Sequence, residues 1–244
     1  MKSTLLLLAA FFGAFTVFAQ SSDTAIVNQQ KSIYQRAVQY GDFSSAAYAL
    51  TAMLHHGAPL HYEDSLAIIY YRNGNLNGSY RLANEIFSRN NKDVTALALL
   101  ADISGRTSET KTSLDWYEKL VALDPAPFNY YQLATKQFML DRRSECRQSL
   151  QKAISDSAAA SSQSTVLDLG NGRSETVPVM AASYNMLGAL AYKDKDLPKA
   201  KEHYQKALAS FPEFIIAAEN LKSLEEEMKP KPAGTKPAPA RTKQ

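Results

Sequence analysis

Three histidines lie close together in the sequence, at positions 55, 56 and 61, and imidazole is a common zinc ligand. Glu63 and Asp64 follow, and their carboxylates could complete such a site. Adjacent helical residues point in different directions, so His55 and His56 do not converge on one ion. The glycine and proline before His61 indicate a loop between helices. A metal-dependent hydrolase therefore remains a minor alternative, and we expect no metal and no cofactor.

Other signatures of catalysis are missing from the sequence. It has no G-x-S-x-G nucleophile turn, no phosphate-binding glycine loop and no C-x-x-C pair. Its single cysteine, Cys146, cannot form an internal disulfide, and we expect it to be a buried packing residue. His203 stands alone among charged neighbours, which predicts an exposed side chain. The sequence therefore predicts a protein that is not an enzyme.

The segments that would position any functional residues form a pattern that recurs along the chain. Residues 184–212 place small, aromatic and proline residues at fixed intervals: Tyr184, Leu187, Gly188, Ala200, Tyr204, Ala207 and Pro212. This spacing resembles the tetratricopeptide repeat, whose signature is W-x2-L-G-x2-Y, then A-x3-F and P within about 34 residues. Working backwards, repeats start near Val27, Leu60, Val94, Pro127 and Ala181, so the successive offsets are 33, 34, 33 and 54.

The resemblance implies an all-α solenoid of about five helix pairs, with repeats near 27–59, 60–93, 94–126, 127–155 and 181–214. A polar helix at 215–229 would cap the stack. We expect Gly41 and Gly74 to end first helices, and Asp42 and Asn75 to start second helices. Gly188 would face Ala200 where two helices approach closely. The third repeat fits least well, because its long polar turn GRTSETKTS lacks the usual glycine–acidic pair.

The last offset is clearly longer than one repeat, which predicts an insertion. Residues 156–180 would form a Ser/Ala linker and a small β-hairpin, turning at Asn171-Gly172 in a type I′ turn. Insertions in repeat proteins often carry specificity. We therefore expect a partner to contact Leu167, Asn171, Gly172 and Arg173. Deleting 160–178 would then abolish partner capture without changing thermal melting.

The two ends of the chain differ from its body. Residues 1–19 have the basic start, apolar run and small-residue end of a signal peptide, with cleavage before Gln20 and an uncleaved anchor as the alternative. Residues 230–244 read as a disordered basic tail. The formal charge of +3 includes +5 from 229–244 and +1 from Lys2, which leaves −3 for the body. This balance argues against nucleic-acid binding.

The resemblance implies a non-catalytic scaffold or adaptor that binds a peptide or partner helix in a concave groove lined by first helices. The signal segment predicts a periplasmic or secreted protein, with an envelope or secretion component as partner and no stable membrane span after cleavage. The groove candidates share positions away from the packing seam: Lys31, Gln35, Asp64, Tyr71, Arg72, Asp102, Tyr131, Phe138, Asn185 and Lys193. For Tyr131 and Phe138, packing between repeats is the alternative. A peptidoglycan- or carbohydrate-binding module is the alternative function, and the oligomeric state stays open.

Overall fold

A computed structural model describes residues 23–229, so the predicted signal segment and basic tail lie outside the described residues. The described elements are α1 (23–39), α2 (Phe43–His55), α3 (Tyr62–Arg72), α4 (Leu76–Arg89), α5 (Val94–Arg106), α6 (Thr110–Leu123), α7 (Pro127–Met139), α8 (Arg143–Ala153), α9 (Ser157–Ser162), β1 (Ser164–Gly170), β2 (Arg173–Pro178), α10 (Val179–Lys193), α11 (Leu197–Ser210) and α12 (Ile215–Glu227). The predicted fold, a tetratricopeptide-like stack of helix pairs with one β-hairpin, is confirmed.

The helices form two compact units, one ending at Pro125 and the other beginning at Ala126. In the N-terminal unit, α1 packs on α2 in one apolar cluster, and α3/α4 and α5/α6 pair as first and second helices of the next two repeats. In the C-terminal unit the pairs are α7/α8 and α10/α11, and α12 packs on α11. Each unit has its own apolar core, built around Leu50 and Leu100 in the first and around Leu150 and Phe214 in the second.

Each helix pair is joined by a short connection whose middle residue has a positive φ. These residues are Gly41 (70°), Gly74 (78°), Ser108 (65°), Asp141 (56°) and Lys195 (61°). Their spacing along the chain is the one expected for the repeat starts. The left-handed conformation lets the next N–H groups bond back to the last carbonyls of the helix. The residue after each positive-φ residue directly precedes the second helix. At this position the side chains of Asp42 and Asn75 cap α2 and α4, as predicted.

The long polar turn expected in the third repeat is absent from the structure. Helix α5 continues to Arg106 and α6 begins at Thr110, so the connection is as short as in the other repeats. The N–H of Glu109 donates to the carbonyl of Ser104 at 3.0 Å, the same bond that Asp42 makes to Ala37 at 2.8 Å. The prediction was wrong because a glycine is favoured at this position but is not required by the bonding pattern.

One small buried residue in the second helix bonds to the first helix in three repeats. Its side chain donates to a carbonyl of that first helix: Ser79 to Ala67 at 2.8 Å, Ser113 to Ala101 at 2.7 Å, and Cys146 to Ala134 at 3.2 Å. Cys146 is fully buried, so its predicted packing role is confirmed, and its thiol takes the place of a hydroxyl. The sequence alone had suggested only a small apolar residue there.

Cys146 should resist thiol reagents in the native protein and react only after unfolding. Burial raises the pKa of its thiol to about 12, so the thiolate that reacts with alkylating agents is scarce at neutral pH. Mass spectrometry after iodoacetamide treatment, with and without denaturant, checks this. Replacement by serine should preserve the bond to Ala134, whereas Cys146→Val should lower the unfolding midpoint. Rapid labelling of the native chain would contradict the buried position.

The contact expected between Gly188 and Ala200 is replaced by a contact with an aromatic ring. A Cβ placed on Gly188 would lie 2.5 Å from Cε1 and 2.6 Å from Cδ1 of Tyr204. The side chain of Tyr204 is 4% exposed, so the ring fills the space that glycine leaves in α10. Gly188 is therefore fitted to a tyrosine on α11 and not to the alanine one turn earlier.

The insertion contains more structure than the predicted linker and hairpin. Asp156 caps the short helix α9 by accepting from the N–H of Ala159, and the alanines that follow favour a helix. Strands β1 and β2 then pair antiparallel around Asn171 and Gly172. Both turn residues have positive φ, 54° and 74°, as a type I′ turn requires. The predicted hairpin turn is confirmed, and the predicted linker was wrong.

The base of the hairpin is part of the core of the C-terminal unit. Val177 is 0% exposed, and Leu167 packs against the same apolar cluster. Two side chains of the insertion also accept from the first turns of other helices: Gln163 from the N–H of Phe128 at 2.8 Å, and Glu175 from the N–H of Ile215 at 2.9 Å. The expectation that residues 160–178 could be removed without affecting stability is therefore corrected.

Candidate partner-binding site

In the N-terminal unit, two first helices bring an aromatic ring, an acid and a cation together. The hydroxyl of Tyr71 in α3 donates to the carboxylate of Asp102 in α5. Arg106, one turn after Asp102, donates from Nε to the same carboxylate at 2.7 Å. Its guanidinium lies 5.2 Å from the centroid of the Tyr71 ring. We call Tyr71, Asp102 and Arg106 the N-terminal cluster.

The electrostatics of this cluster raise the pKa values of Tyr71 and Arg106. Burial, followed by the bond to Asp102, raises the pKa of Tyr71 to about 12. The hydrogen bond to Asp102 also raises the pKa of Arg106 above its usual value. Tyr71 therefore remains a neutral donor and Arg106 remains charged at any physiological pH. Both ionic side chains are still partly open to solvent, 58% for Arg106 and 39% for Asp102.

A similar arrangement occurs in the C-terminal unit. The ammonium of Lys193 in α10 lies 4.4 Å from the ring centroid of Phe138 in α7. The same ammonium is 3.8 Å from the carboxylate of Asp141, in the turn after α7. We call Phe138, Asp141 and Lys193 the C-terminal cluster. It again combines an aromatic ring and a cation from neighbouring first helices with an acid, which here lies in a turn.

Two arginines of α8 extend the C-terminal cluster into a charged network. Arg143 donates to Asp141 at 2.8 Å and to Asp194 at 3.3 Å, and Arg147 donates to Asp194 at 2.6 Å. The hydrogen bond from Arg143 lowers the pKa of Asp141, and that from Arg147 lowers the pKa of Asp194. Both acids are therefore ionised at neutral pH. The network links the turn after α7 to the turn after α10.

The aromatic residue and the cation of each cluster use the same positions of the repeat, whereas the acids differ, because Asp102 lies on α5 and Asp141 lies in the turn after α7. Tyr71 and Phe138 are the penultimate residues of α3 and α7, while Arg106 and Lys193 are the last residues of α5 and α10. In each unit the aromatic residue comes from one repeat and the cation from the next repeat. Tyr71, Phe138 and Lys193 were predicted groove residues, and each lies in one of these clusters. The structure thus gives each unit one preorganised cluster on its first-helix face, by which we mean the side lined by first helices.

The remaining candidates of the N-terminal unit lie apart from its cluster. Lys31 and Gln35 are exposed on α1. Asp64 is half-buried near the start of α3, and burial, with Asp93 and Glu63 nearby, raises the pKa of its carboxyl. Arg72 points to the second helix of the preceding repeat, where its guanidinium lies 5.9 Å from the Phe43 ring centroid. These four residues do not converge on one site.

The candidates of the C-terminal unit divide between the core and the surface. Tyr131 is buried in the core of the unit, so the alternative prediction for this residue, packing between repeats, is confirmed. Asn185 is half-buried and accepts from the side chain of Asn220 at 2.9 Å, so it joins α10 to α12. In the hairpin, the side chain of Leu167 packs inward. Asn171, Gly172 and Arg173 are exposed at the tip.

The rings of His55 and His56 contact each other edge to face with centroids 5.2 Å apart, and the other neighbours of the three histidines differ. Nδ1 of His56 lies 2.8 Å from the carboxylate of Asp23, and the ring of His61 packs on Tyr62 with centroids 4.3 Å apart. His55 ends α2 with an exposed side chain. Among residues 23–229, no three His, Cys, Asp or Glu side chains are grouped so that they could hold a metal ion. The arrangement gives the metal-dependent hydrolase no support.

Contrary to expectation, His203 is half-buried. Its ring stacks on Tyr184 with centroids 6.4 Å apart, and its Nδ1 is buried with no hydrogen-bond partner among the described residues. Burial is the main cause that lowers the pKa of His203 below 6.5. The charge of Glu202 opposes this shift of the pKa, and the charges of three cations add to it: Lys206, Lys199 and Arg147. The charged neighbours in the sequence concealed this burial.

Stability of the C-terminal unit should fall as the pH drops through the pKa of an unfolded histidine, about 6.5. Because the folded unit favours neutral His203, the neutral ring makes its full contribution to the free energy of unfolding above a pH of about 6.5. That contribution is lost below this pH. Urea unfolding at about pH 7.5 and about pH 5.5 measures the effect. His203→Gln should flatten the pH dependence of the free energy of unfolding. If the free energy of unfolding changed with pH equally in wild type and in His203→Gln, His203 would not be the cause of the pH dependence.

Sequence reasoning missed several members of the clusters. Arg106, Asp141 and Asp194 stand in or beside the interhelical turns, where charged residues usually face solvent. One signal was available, because Arg106 and Lys193 are cations at the same repeat position, directly before an interhelical turn. Of the acids that hold them, Asp102 was a predicted groove residue, whereas Asp141 was found only from the three-dimensional contacts.

Comparisons with known proteins agree with this fold. A family model described as "Tetratricopeptide repeat" matches residues 181–214. The structure is similar to a tetratricopeptide repeat protein from Parabacteroides merdae, with 17% identity, a TM-score of 0.65 and coverage of 84% of this chain and 74% of that one. It is also similar to MamA from Desulfovibrio magneticus, with 17% identity, a TM-score of 0.61 and coverage of 78% and 97%.

PilF of Pseudomonas aeruginosa is a further similar structure, with 18% identity, a TM-score of 0.54 and coverage of 68% of this chain and 67% of that one. No curated protein matches the sequence. At these identities the structural likeness establishes the fold. The match at 181–214 identifies the fifth helix pair, α10 and α11, as a tetratricopeptide repeat.

Proposed function

We propose that the protein is a non-catalytic scaffold that binds a peptide or a partner helix through the first-helix face of each unit. The observation that carries this proposal is the recurrence of an aromatic ring and a cation at the same repeat positions in both units, with each cation paired to a nearby acid. The rings of Tyr71 and Phe138 also pack against the apolar clusters of their units, so the packing alternative considered for Phe138 applies in part. Arg106 and Lys193 are both partly exposed, so a ligand can reach them.

The chemistry of these clusters suits protein recognition. Tyrosine and arginine are enriched among the residues that dominate binding energy, since they combine apolar area with directed hydrogen bonds. Asp102 holds Arg106 over the ring of Tyr71, so little side-chain freedom remains to be lost on binding. A partner would place an apolar side chain beside the aromatic ring and an acidic group near the cation. This supports a protein ligand over a catalytic substrate.

We further propose that the protein acts in the cell envelope or outside the cell, with an envelope or secretion component as its partner. The support comes from the sequence of residues 1–19, whose basic start and apolar run are typical of a signal peptide. Across the described part of the chain, no helix has the length and hydrophobicity to span a bilayer. Cell fractionation tests location, and intact mass tests whether the exported chain begins at Gln20. A cytoplasmic chain beginning at Met1 would refute the export.

Removing both cations should reduce partner capture at least about tenfold, the loss expected for a binding hot spot. The experiment compares Arg106→Ala/Lys193→Ala with wild type in quantitative crosslinking from envelope extract. Lys119→Ala is the matched control, because Lys119 lies 4.2 Å from the ring centroid of Trp116 on a second helix. Circular dichroism should show the same helical content in all three. Equal capture by the double variant would overturn the proposed site.

A further inference from the structure

Asparagine is followed by glycine at three places in the chain, at 73–74, 77–78 and 171–172. This pair of residues is prone to lose ammonia spontaneously, because glycine has no side chain to hinder attack by its own nitrogen on the asparagine amide. The reaction needs an accessible glycine nitrogen and a backbone that can rotate at the asparagine. The local structure around each pair therefore decides whether that pair reacts.

The two pairs of the second repeat are restrained by hydrogen bonds at helix ends. The N–H of Gly74 donates to the carbonyl of Tyr71 at 3.0 Å, in the turn that ends α3. The N–H of Gly78 donates to the side chain of Asn75 at 3.0 Å, and this bond caps the first turn of α4. Rotation of the backbone at either pair would open one of these helix ends, which makes it a rare event.

The pair in the hairpin lacks these restraints. Asn171 and Gly172 are both exposed, and the N–H of Gly172 has no hydrogen-bond partner among residues 23–229. The strand pairing is irregular just before the turn, because the register shifts between Asp168 and Gly170. Only the pairing of Gly170 with Arg173 lies between this irregularity and the turn. The tip can therefore open without separating the base of the hairpin.

We infer that Asn171 is a site of spontaneous deamidation, with water as the only other reactant. The nitrogen of Gly172 attacks Cγ of Asn171, and the new N–Cγ bond closes a succinimide ring. The Cγ–Nδ2 bond then breaks, and the amide group leaves as ammonia with the proton that the Gly172 nitrogen has lost. Water adds to one of the two ring carbonyls and its proton returns to the nitrogen. The ring opens to aspartate or, when water attacks the main-chain carbonyl, to isoaspartate.

Both products change the tip of the hairpin and leave its base in place. Each product adds a negative charge beside Arg173, and isoaspartate also adds a methylene group to the main chain. The type I′ turn needs a two-residue connection with positive φ at Asn171 and Gly172, so the isoaspartate product cannot keep this turn. The base remains packed through Val177, which is 0% exposed. The inference is independent of the two clusters proposed for partner binding.

Peptide mapping of the full chain, after incubation at mildly alkaline pH, measures the reaction at each asparagine. Fragmentation that distinguishes aspartate from isoaspartate should show product at Asn171 at least about tenfold faster than at Asn73 or Asn77, since a restrained pair reacts only while its helix end is open. In denaturant the three pairs should react at similar rates. Equal rates in the native chain, or no product at Asn171, would overturn the inference.

Two variants test whether the reaction requires only the tip to open. Asn171→Asp removes the reacting amide, so the release of ammonia from the native chain should fall to the level given by the remaining amides. Cys146→Val should destabilise the same unit, but the rate at Asn171 should stay unchanged because the tip opens separately. A rate that rises in proportion to the loss of stability would show that the unit must unfold first, which would contradict reaction at the folded hairpin.

Discussion

Gly188→Ala should destabilise the C-terminal unit by about 2 kcal/mol, although alanine is the better helix former by about 1 kcal/mol. The added methyl group would lie 2.5 Å from the ring of Tyr204, far inside van der Waals contact. That ring is buried, so it cannot move aside without separating α10 from α11 or leaving its rotamer. Urea unfolding followed by circular dichroism measures the loss. An unchanged or higher midpoint would show that α10 and α11 can accommodate the added methyl group without losing their packing.

A second substitution tests whether the ring is the cause. The fourth repeat has Ala134 where the fifth has Gly188, and it has Leu150 where the fifth has Tyr204. Tyr204→Leu alone should create a void, and in combination with Gly188→Ala it should reproduce the pairing of the fourth repeat. We expect the double variant to be more stable than the sum of the two single effects predicts. Strict additivity would mean that the methyl group and the ring do not compete for the same space.

The sequence alone could predict the repeat because the turns depend on local chemistry. Gly41 and Gly74 provide left-handed residues, and Asp42 and Asn75 provide caps, so the helix boundaries follow from short stretches. The third turn shows where this reasoning fails. Ser108 adopts the same conformation without being glycine, since the surrounding helix pair fixes it. Local patterns locate a turn best where the residue itself prefers the required conformation.

The candidate site was predictable in part. The position of Tyr71 or Phe138 on the first-helix face follows from helical periodicity, and both were named from it. Their partners, Arg106 and Lys193, come from the next repeat and are distant in the sequence. Tyr131 was misplaced for the same reason, because only the neighbouring helices decide whether an aromatic ring is covered. Contacts between repeats were therefore beyond what the spacing of residues could determine.

Val177→Asp should destabilise the C-terminal unit by more than about 3 kcal/mol, whereas Val166→Asp should change its stability by less than about 0.5 kcal/mol. The two valines lie on opposite faces of the same hairpin, 0% and 65% exposed. A carboxylate at 177 would be buried in the apolar cluster with no cation to pair with, but at 166 it would remain in water. Urea unfolding of both variants gives the comparison.

Equal stability of the two variants would mean that the hairpin is an appendage whose removal tests binding alone. The contacts of its base argue otherwise, since Gln163 and Glu175 satisfy N–H groups at the starts of α7 and α12. A role in partner binding must therefore be tested at the tip, with Arg173→Ala, whose side chain is exposed. Because that change leaves the base intact, a loss of partner capture without a loss of stability would assign recognition to the tip. Loss of both together would show that the base and tip act only as structure.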